Sequence, residues 1–236
     1  MSKVTTVLFD LDGTLLPMDQ DVFIKTYFTR VAAKMAPRGY EPRALIDAIW
    51  AGTTSMVKND GSCTNEQAFW ATFAAILGEK VRAEEPVLRG FYENEFQGVQ
   101  SVCGCHPAAA EIVRDLKARG IRVVLATNPV FPAVATESRI RWAGLEPSDF
   151  ELYTTYENSR YCKPTLAYYE DILASLGVSG EECVMVGNDV SEDMITERLG
   201  MKTFLLTDCL INKNGEDISK WAHGGFEELK EFLMQL

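Results

Sequence analysis

Two carboxylates one residue apart, Asp10 and Asp12, directly follow the apolar, β-branched run Val4-Thr5-Thr6-Val7-Leu8-Phe9 and precede Gly13-Thr14. The run reads as a buried strand, and the Gly-Thr pair lets the chain turn sharply. Both carboxylates are therefore expected to stand exposed beyond the strand's carboxyl end, where an open α/β sheet places its chemistry. Crowded acids repel, and a hard divalent cation with oxygen ligands, Mg²⁺ above all, keeps them ionised at neutral pH. Two other readings compete: a turn merely capped by Asp, Gly and Thr, and a calcium loop. The calcium loop fails on pattern, because its sixth position needs Gly where this chain has Leu15, and a strand precedes instead of a helix.

Three later segments add polar groups of matching chemistry. The strand-like run 121–126 delivers Thr127-Asn128-Pro129. With proline as the first residue of a following helix, Thr127 and Asn128 stand at that helix's mouth, where free N–H groups and the dipole suit a phosphoryl group. An ordinary cap by Asn128 fits the same residues. Lys163-Pro164 precedes another helix. A solvated lysine is the plain reading; at the same sheet edge, Lys163 would hold a developing aspartyl phosphate and neutralise its charge. Finally, the run 183–186 leads into Gly187-Asn188-Asp189-Val190-Ser191-Glu192-Asp193. Asp189 and Asp193 lie close if a helix starts promptly, and with Asp10 and Asp12 they complete an oxygen-rich site for one Mg²⁺. Asp189 with Glu192 also has the spacing of a capping box.

These groups need elements that bring them to one place. From residue 107 onward, strand-like and helix-like segments alternate: a helix to Gly120, the strand 121–126, a helix after Pro129, a helix over 164–176, the strand 183–186, a helix toward Leu199, and the strand 202–206. Such alternation predicts right-handed crossovers and a Rossmann-like, doubly wound, mainly parallel sheet. Between residues 19 and 96 the texture is that of successive amphipathic helices, marked by Val22, Phe23, Tyr27, Val31 and Met35, and again by Phe69, Phe73, Ile76 and Leu77. Leu45 to Trp50 and Val87 to Phe96 mark two more. The polar stretch 53–62 reads as a loop between them, of the kind that carries specificity or merely connects. The expected organisation is an α/β core of 1–16 and 107–236 interrupted by a helical cap of 17–106, with Pro17, Gly104 and Pro107 marking the hinges.

Bulk properties narrow the function. At 236 residues, with 47% hydrophobic and 24% charged residues, the chain can form one substantial core with a smaller satellite. A net charge of -11 and the absence of a basic stripe argue against nucleic acid as partner. No apolar stretch suits a membrane span or a signal segment, which points to a cytoplasmic protein. Six cysteines without CxxC pairing fit a reducing compartment; Cys103-Gly104-Cys105-His106 lacks a fourth zinc ligand at suitable spacing. Nothing in the sequence chooses between monomer and dimer.

In this order, Phe9-Asp10-Leu11-Asp12-Gly13-Thr14, then Thr127, then Lys163 before proline, then Asp189 and Asp193 after a strand, the chain resembles the haloacid dehalogenase superfamily of hydrolases. Asn188 is an extra residue between Gly187 and the first of the late acids. The resemblance implies an α-helical cap of the first type and a two-step phosphoryl transfer to water from a small-molecule phosphate ester. In it, Asp10 is the nucleophile and Asp12 the general acid and base, with Thr127, Asn128 and Lys163 on the phosphoryl group. Mg²⁺ is bound by Asp10, the Asp12 backbone carbonyl and Asp189, with Asp193 supporting. The family's dehalogenases carry a non-acidic residue at position 12, and its phosphonatases typically alanine, so Asp12 favours phosphate esters. A phosphosugar mutase of the same superfamily and a catalytically silent binding protein with the same fold are the competing expectations.

Overall fold

A computed structural model describes residues 3–236; residues 1–2 of the expected core segment lie outside the described residues. Among the described residues there are six strands: β1 (Thr6–Phe9), β2 (Arg122–Leu125), β3 (Leu152–Tyr153), β4 (Cys183–Gly187), β5 (Lys202–Leu206) and β6 (Ala222–Gly224). They form one sheet in the order β3-β2-β1-β4-β5-β6, and every neighbouring pair is parallel. β1 is therefore central, flanked by β2 and β4, and chain direction across the sheet reverses beside it. In such a sheet the crevice at the strands' carboxyl ends is the natural binding position.

Four helices lie between β1 and β2: α1 (Gln20–Met35), α2 (Pro42–Val57), α3 (Asn65–Leu77) and α4 (Glu85–Glu93). Then come α5 (Pro107–Ala118), α6 (Ala133–Trp142), α7 (Leu166–Leu176) and α8 (Phe226–Met234). The pleat of β1 sends Val7 and Phe9 into a core shared with Ile112 and Leu116 of α5, Ile140 of α6 and Leu229 of α8. Leu8 faces the other way, into a second core with Tyr168, Tyr169 and Ile172 of α7. Helices thus cover both faces, which is why the central strands are apolar throughout.

The helical segment begins and ends at one point. Gly104 N–H donates to Pro17 O at 2.7 Å, and Met18 pairs with Cys103 in an isolated antiparallel bridge. From that junction α1 lays Phe23 and Tyr27 against Phe131, with ring centroids 6.2 and 5.4 Å apart. The segment therefore covers the loop that leaves β2. Among the described residues no helix is long and apolar enough to cross a membrane.

Two local expectations change. The loop expected from residue 53 starts only after Val57, because the Thr53, Thr54 and Ser55 hydroxyls donate back to the carbonyls of Ile49, Trp50 and Gly52 at 3.0, 2.9 and 2.7 Å. Those bonds absorb the polar side chains into the helix surface. The helix expected to reach Phe96 stops at Glu93, and a 3₁₀ stretch, Glu95–Val102, continues to the junction.

Candidate active site

β1 ends at Phe9, yet the Asp10 N–H still donates to Val186 O of β4 at 2.9 Å, which fixes Asp10 at the sheet edge. The chain then closes a tight turn, with Leu16 N–H on Leu11 O at 2.8 Å and Gly13 N–H on Leu16 O at 2.8 Å. Gly13 adopts φ 88°, and a Cβ there would run into the Asn188 side-chain amide, so only glycine suits this position. Asn188, itself buried, accepts from the Thr14 hydroxyl at 3.0 Å and donates to Cys209 O at 2.7 Å. The extra residue after Gly187 thus ties the β1 turn to the loop after β5.

Lys163 is the centre of the arrangement. Its Nζ donates to Asp10 Oδ1 and to Asp193 Oδ1, each at 2.7 Å, and the lysine is only 1% exposed. Burial alone would lower its pKa, but Asp10 and Asp193 outweigh that and hold it well above the usual lysine range. Asp193 shows the converse: burial pushes its carboxyl up, with Lys163 pulling against. Its second oxygen accepts the Asp189 N–H at 3.0 Å. A Cβ on Gly187 would collide with the Asp193 carboxylate, so the end of β4 is shaped around that group.

The late acids come together without the expected prompt helix. Residues 190–193 form turns, and a 3₁₀ stretch begins only at Met194. Asp189 Oδ1 accepts from Ser191 N–H and Glu192 N–H at 2.7 and 3.0 Å, a local cap. Glu192 does not return the bond of a capping box; its carboxylate takes the Asn128 amide at 3.3 and 3.2 Å. Asn128 is therefore committed sideways, and its Oδ1 is buried without a partner.

The helix mouth expected after Pro129 is displaced. α6 starts at Ala133, four residues later, because Phe131 precedes Pro132 and is held out of helical geometry. Its first N–H, on Ala133, is taken by the Glu157 carboxylate at 2.9 and 3.0 Å. Thr127 itself remains at the end of β2, 2% exposed, and its carbonyl accepts from Thr154 and Tyr168 hydroxyls at 2.7 and 2.8 Å. What fixes Thr127 is thus a hydroxyl pair beneath it.

Asp12 has a partner that sequence reasoning did not single out. Arg139, on α6 and fully buried, pairs with Asp12 Oδ2. Its guanidinium lies 4.5 Å over the Phe131 ring. Burial raises the Asp12 carboxyl, Arg139 pulls it down, and Asp10 pushes it up, leaving it above the usual carboxylate range. Neither Asp10 nor Asp12 is freely exposed as expected: Asp10 is 8% exposed, with Lys163 and Thr14 against its carboxylate, and Asp12 is paired with Arg139.

The donor set suits a hard cation. Asp12 Oδ1 is buried and unpartnered, and Asp10 Oδ2 has only a 3.4 Å contact from the Thr14 hydroxyl. Among the described residues no three His, Cys, Asp or Glu side chains gather closely enough to hold an ion alone. A backbone carbonyl and water must complete any sphere, as Mg²⁺ commonly requires. His106 plays no part: it caps α5 through Nδ1 and stacks on Phe226 with centroids 4.2 Å apart.

Comparison with known proteins bears on the whole chain. The HAD phosphatase of Thermococcus onnurineus shares the fold, with a TM-score of 0.60, 21% identity and 98% of each chain covered. So does the HAD-hydrolase YfnB of Bacillus subtilis, solved bound to magnesium, with a TM-score of 0.57, 17% identity, and 98% of this chain and 99% of that one covered. Pyrophosphatase PpaX of Bacillus cereus is 24% identical over 201 residues, 85% of this chain and 82% of that protein. The sequence profile of the haloacid dehalogenase-like hydrolases matches residues 4–196, so the chain belongs to that family of enzymes.

Proposed function

We propose that this enzyme is a Mg²⁺-dependent phosphatase that hydrolyses a small phosphorylated metabolite through an aspartyl phosphate on Asp10. The observation that carries the reading is Lys163 Nζ at 2.7 Å from both Asp10 and Asp193, which unites groups from three distant segments at the sheet's carboxyl edge. The phosphatase and pyrophosphatase names of its relatives support the same class of substrate.

Asp10 attacks phosphorus; as the Asp10–phosphorus bond forms, the bond to the ester oxygen breaks, and Asp12 gives that oxygen its proton. Asp12 then takes a proton from the water that attacks the aspartyl phosphate, releasing inorganic phosphate and restoring Asp10. Lys163 neutralises charge on Asp10 throughout, and Thr127, with Asn128 once its amide leaves Glu192, binds the phosphoryl group. Mg²⁺ would be held by Asp10, the Asp12 carbonyl and Asp189, with Asp193 steadying Asp189 through its backbone N–H. It would supply charge neutralisation and alignment of the phosphoryl oxygens. Residues 17–106 act as a cap that excludes bulk water from the core of 1–16 and 107–236.

The test is turnover of para-nitrophenyl phosphate with and without Mg²⁺, by the wild type and by Asp10→Asn. Loss of roughly 10³-fold or more in kcat is expected for the variant. Undiminished activity would remove Asp10 as nucleophile. Incubation with a hexose 1-phosphate separates hydrolysis, which frees inorganic phosphate, from a mutase, which yields the isomeric ester.

A further inference from the structure

Between the helical segment and the loop after β2 lies a cavity of about 550 Å³, large enough for an organic ligand. Its walls are aromatic. Phe28 and Trp50 meet there at 5.3 Å between centroids, and Phe69 stacks on Phe73 at 5.1 Å, with Tyr156 beyond. Its charges are nearly all of one sign: Glu66, Glu85 and Glu157 line it, and Arg89, the one cation among the lining residues, is engaged with Glu93 at 3.2 Å.

Glu66 sits beside both other carboxylates: burial first, then Glu157 and Glu85, push its carboxyl up. The same three glutamates also push up the Tyr156 hydroxyl, after the larger effect of burial. Glu157 is satisfied by the Ala133 N–H, but Glu66 and Glu85 make no ion pair among the described residues. Aromatic faces beside uncompensated carboxylates complement a cation with an apolar shell. A neutral ligand would desolvate the glutamates without return, an anion would be repelled, and a bare metal ion would find, among the described residues, no three carboxylates close enough together to hold it.

The cavity also reaches toward the chemistry. Val130 and Phe131 line it, just past Asn128, and the far side of the Phe131 contact is Arg139, the partner of Asp12. We propose that this cavity receives the organic-cation end of the substrate, an ammonium or quaternary ammonium group on an apolar body whose alcohol is esterified to phosphate. The assignment deepens the phosphatase reading and rests on it for the identity of the ligand as substrate.

The test compares kcat/KM for phosphocholine with that for its neutral isostere, 3,3-dimethylbutyl phosphate, and measures binding of benzyltrimethylammonium by calorimetry. A preference of about tenfold or more for the cation is expected in the wild type. It should fall toward unity in the Glu66→Gln/Glu85→Gln double variant, and cation binding should weaken several-fold there. Trp50→Ala, which removes a side chain already 45% exposed, should weaken binding with the glutamates intact. Equal or reversed preference in the wild type, or a preference that the double variant keeps, overturns the proposal. If no phosphate ester is hydrolysed, the phosphatase reading fails, while calorimetry still decides the cavity: absence of benzyltrimethylammonium binding to the wild type overturns it.

Discussion

Lys163 holds two buried carboxylates from a position closed to solvent, and its removal defines how much of the site is electrostatic. Lys163→Met leaves Asp10 and Asp193 buried without their cation, a cost of about 3–5 kcal/mol near neutral pH. The pH dependence has a definite sign. Lys163 is what pulls the Asp193 carboxyl down against burial, so the variant's folded-state pKa lies further above the unfolded value. The folded variant then binds more protons than the unfolded chain between those two values, and stability rises as pH falls through that window. The wild-type carboxyl already sits at about 7, so the variant's deficit should shrink as pH falls toward that value, and urea denaturation over a pH series that finds a constant deficit from pH ~9 to ~7 would count against it. The acids and Lys163 were legible from sequence because their residue types follow strand ends in an informative order. Arg139 was not, and Asn188 was legible only as an extra residue, since a single polar residue in a helix or loop declares no partner until the chain is folded. Asn128 shows the same limit: its type was noticed, but its bonding to Glu192 depends on a turn where a helix was expected.

The helices α2 and α3 meet at Gly52, where an added Cβ would come within 2.6 Å of Phe69 Cδ2. Helix propensity favours replacing a glycine inside a helix by about 1 kcal/mol, but here overpacking against a ring outweighs it. Gly52→Val is expected to lower stability by about 1–3 kcal/mol in chemical denaturation. Gly90→Ala in α4, where nothing lies within 4 Å, should raise it by up to about 1 kcal/mol. The opposite order would show that these helices are held by something other than close contact. At this scale β1, β2, β4 and β5 were readable, being apolar runs bounded by turn signals. β3 and β6 were not: two residues and three residues long, neither fully buried, they exist only by pairing with β2 and β5. The start of α6 lies later than the Pro129 pattern predicts because Phe131, before Pro132, is held out of helical geometry, so Pro132 caps a helix that begins at Ala133.

Across the whole molecule, Asp10 and Lys163 are 8% and 1% exposed, and the proposed phosphatase reading expects a phosphate ester to enter as the helical segment and the sheet part. Besides the junction at Pro17 and Gly104, the packing on Phe131 and the bonds of Gln97 with Ser138 and Trp142 at 2.9 and 3.2 Å, the two are joined at the start of α3. There the Asn65 and Glu66 N–H groups donate to Ser159 O and Tyr156 O, both at 2.8 Å. The fully buried Asn65 amide reaches Pro129 O at 3.3 Å, Tyr161 O at 3.2 Å and Cys162 Sγ at 3.4 Å. Asn65→Ala removes this side-chain latch and leaves the acceptors short, a loss of about 1–3 kcal/mol that falls on the opening equilibrium. Cys162 reports the opening directly, because burial holds its thiol up at about 12 and keeps it protonated and shielded in the closed state. In the variant, alkylation of Cys162 and deuterium uptake over residues 59–66 and 156–162 should both accelerate, while amides of β1 and β4 keep their protection. Uptake that rises equally in β1 and β4 would mean that Asn65 supports the fold as a whole, and that substrate enters by some other parting of the molecule.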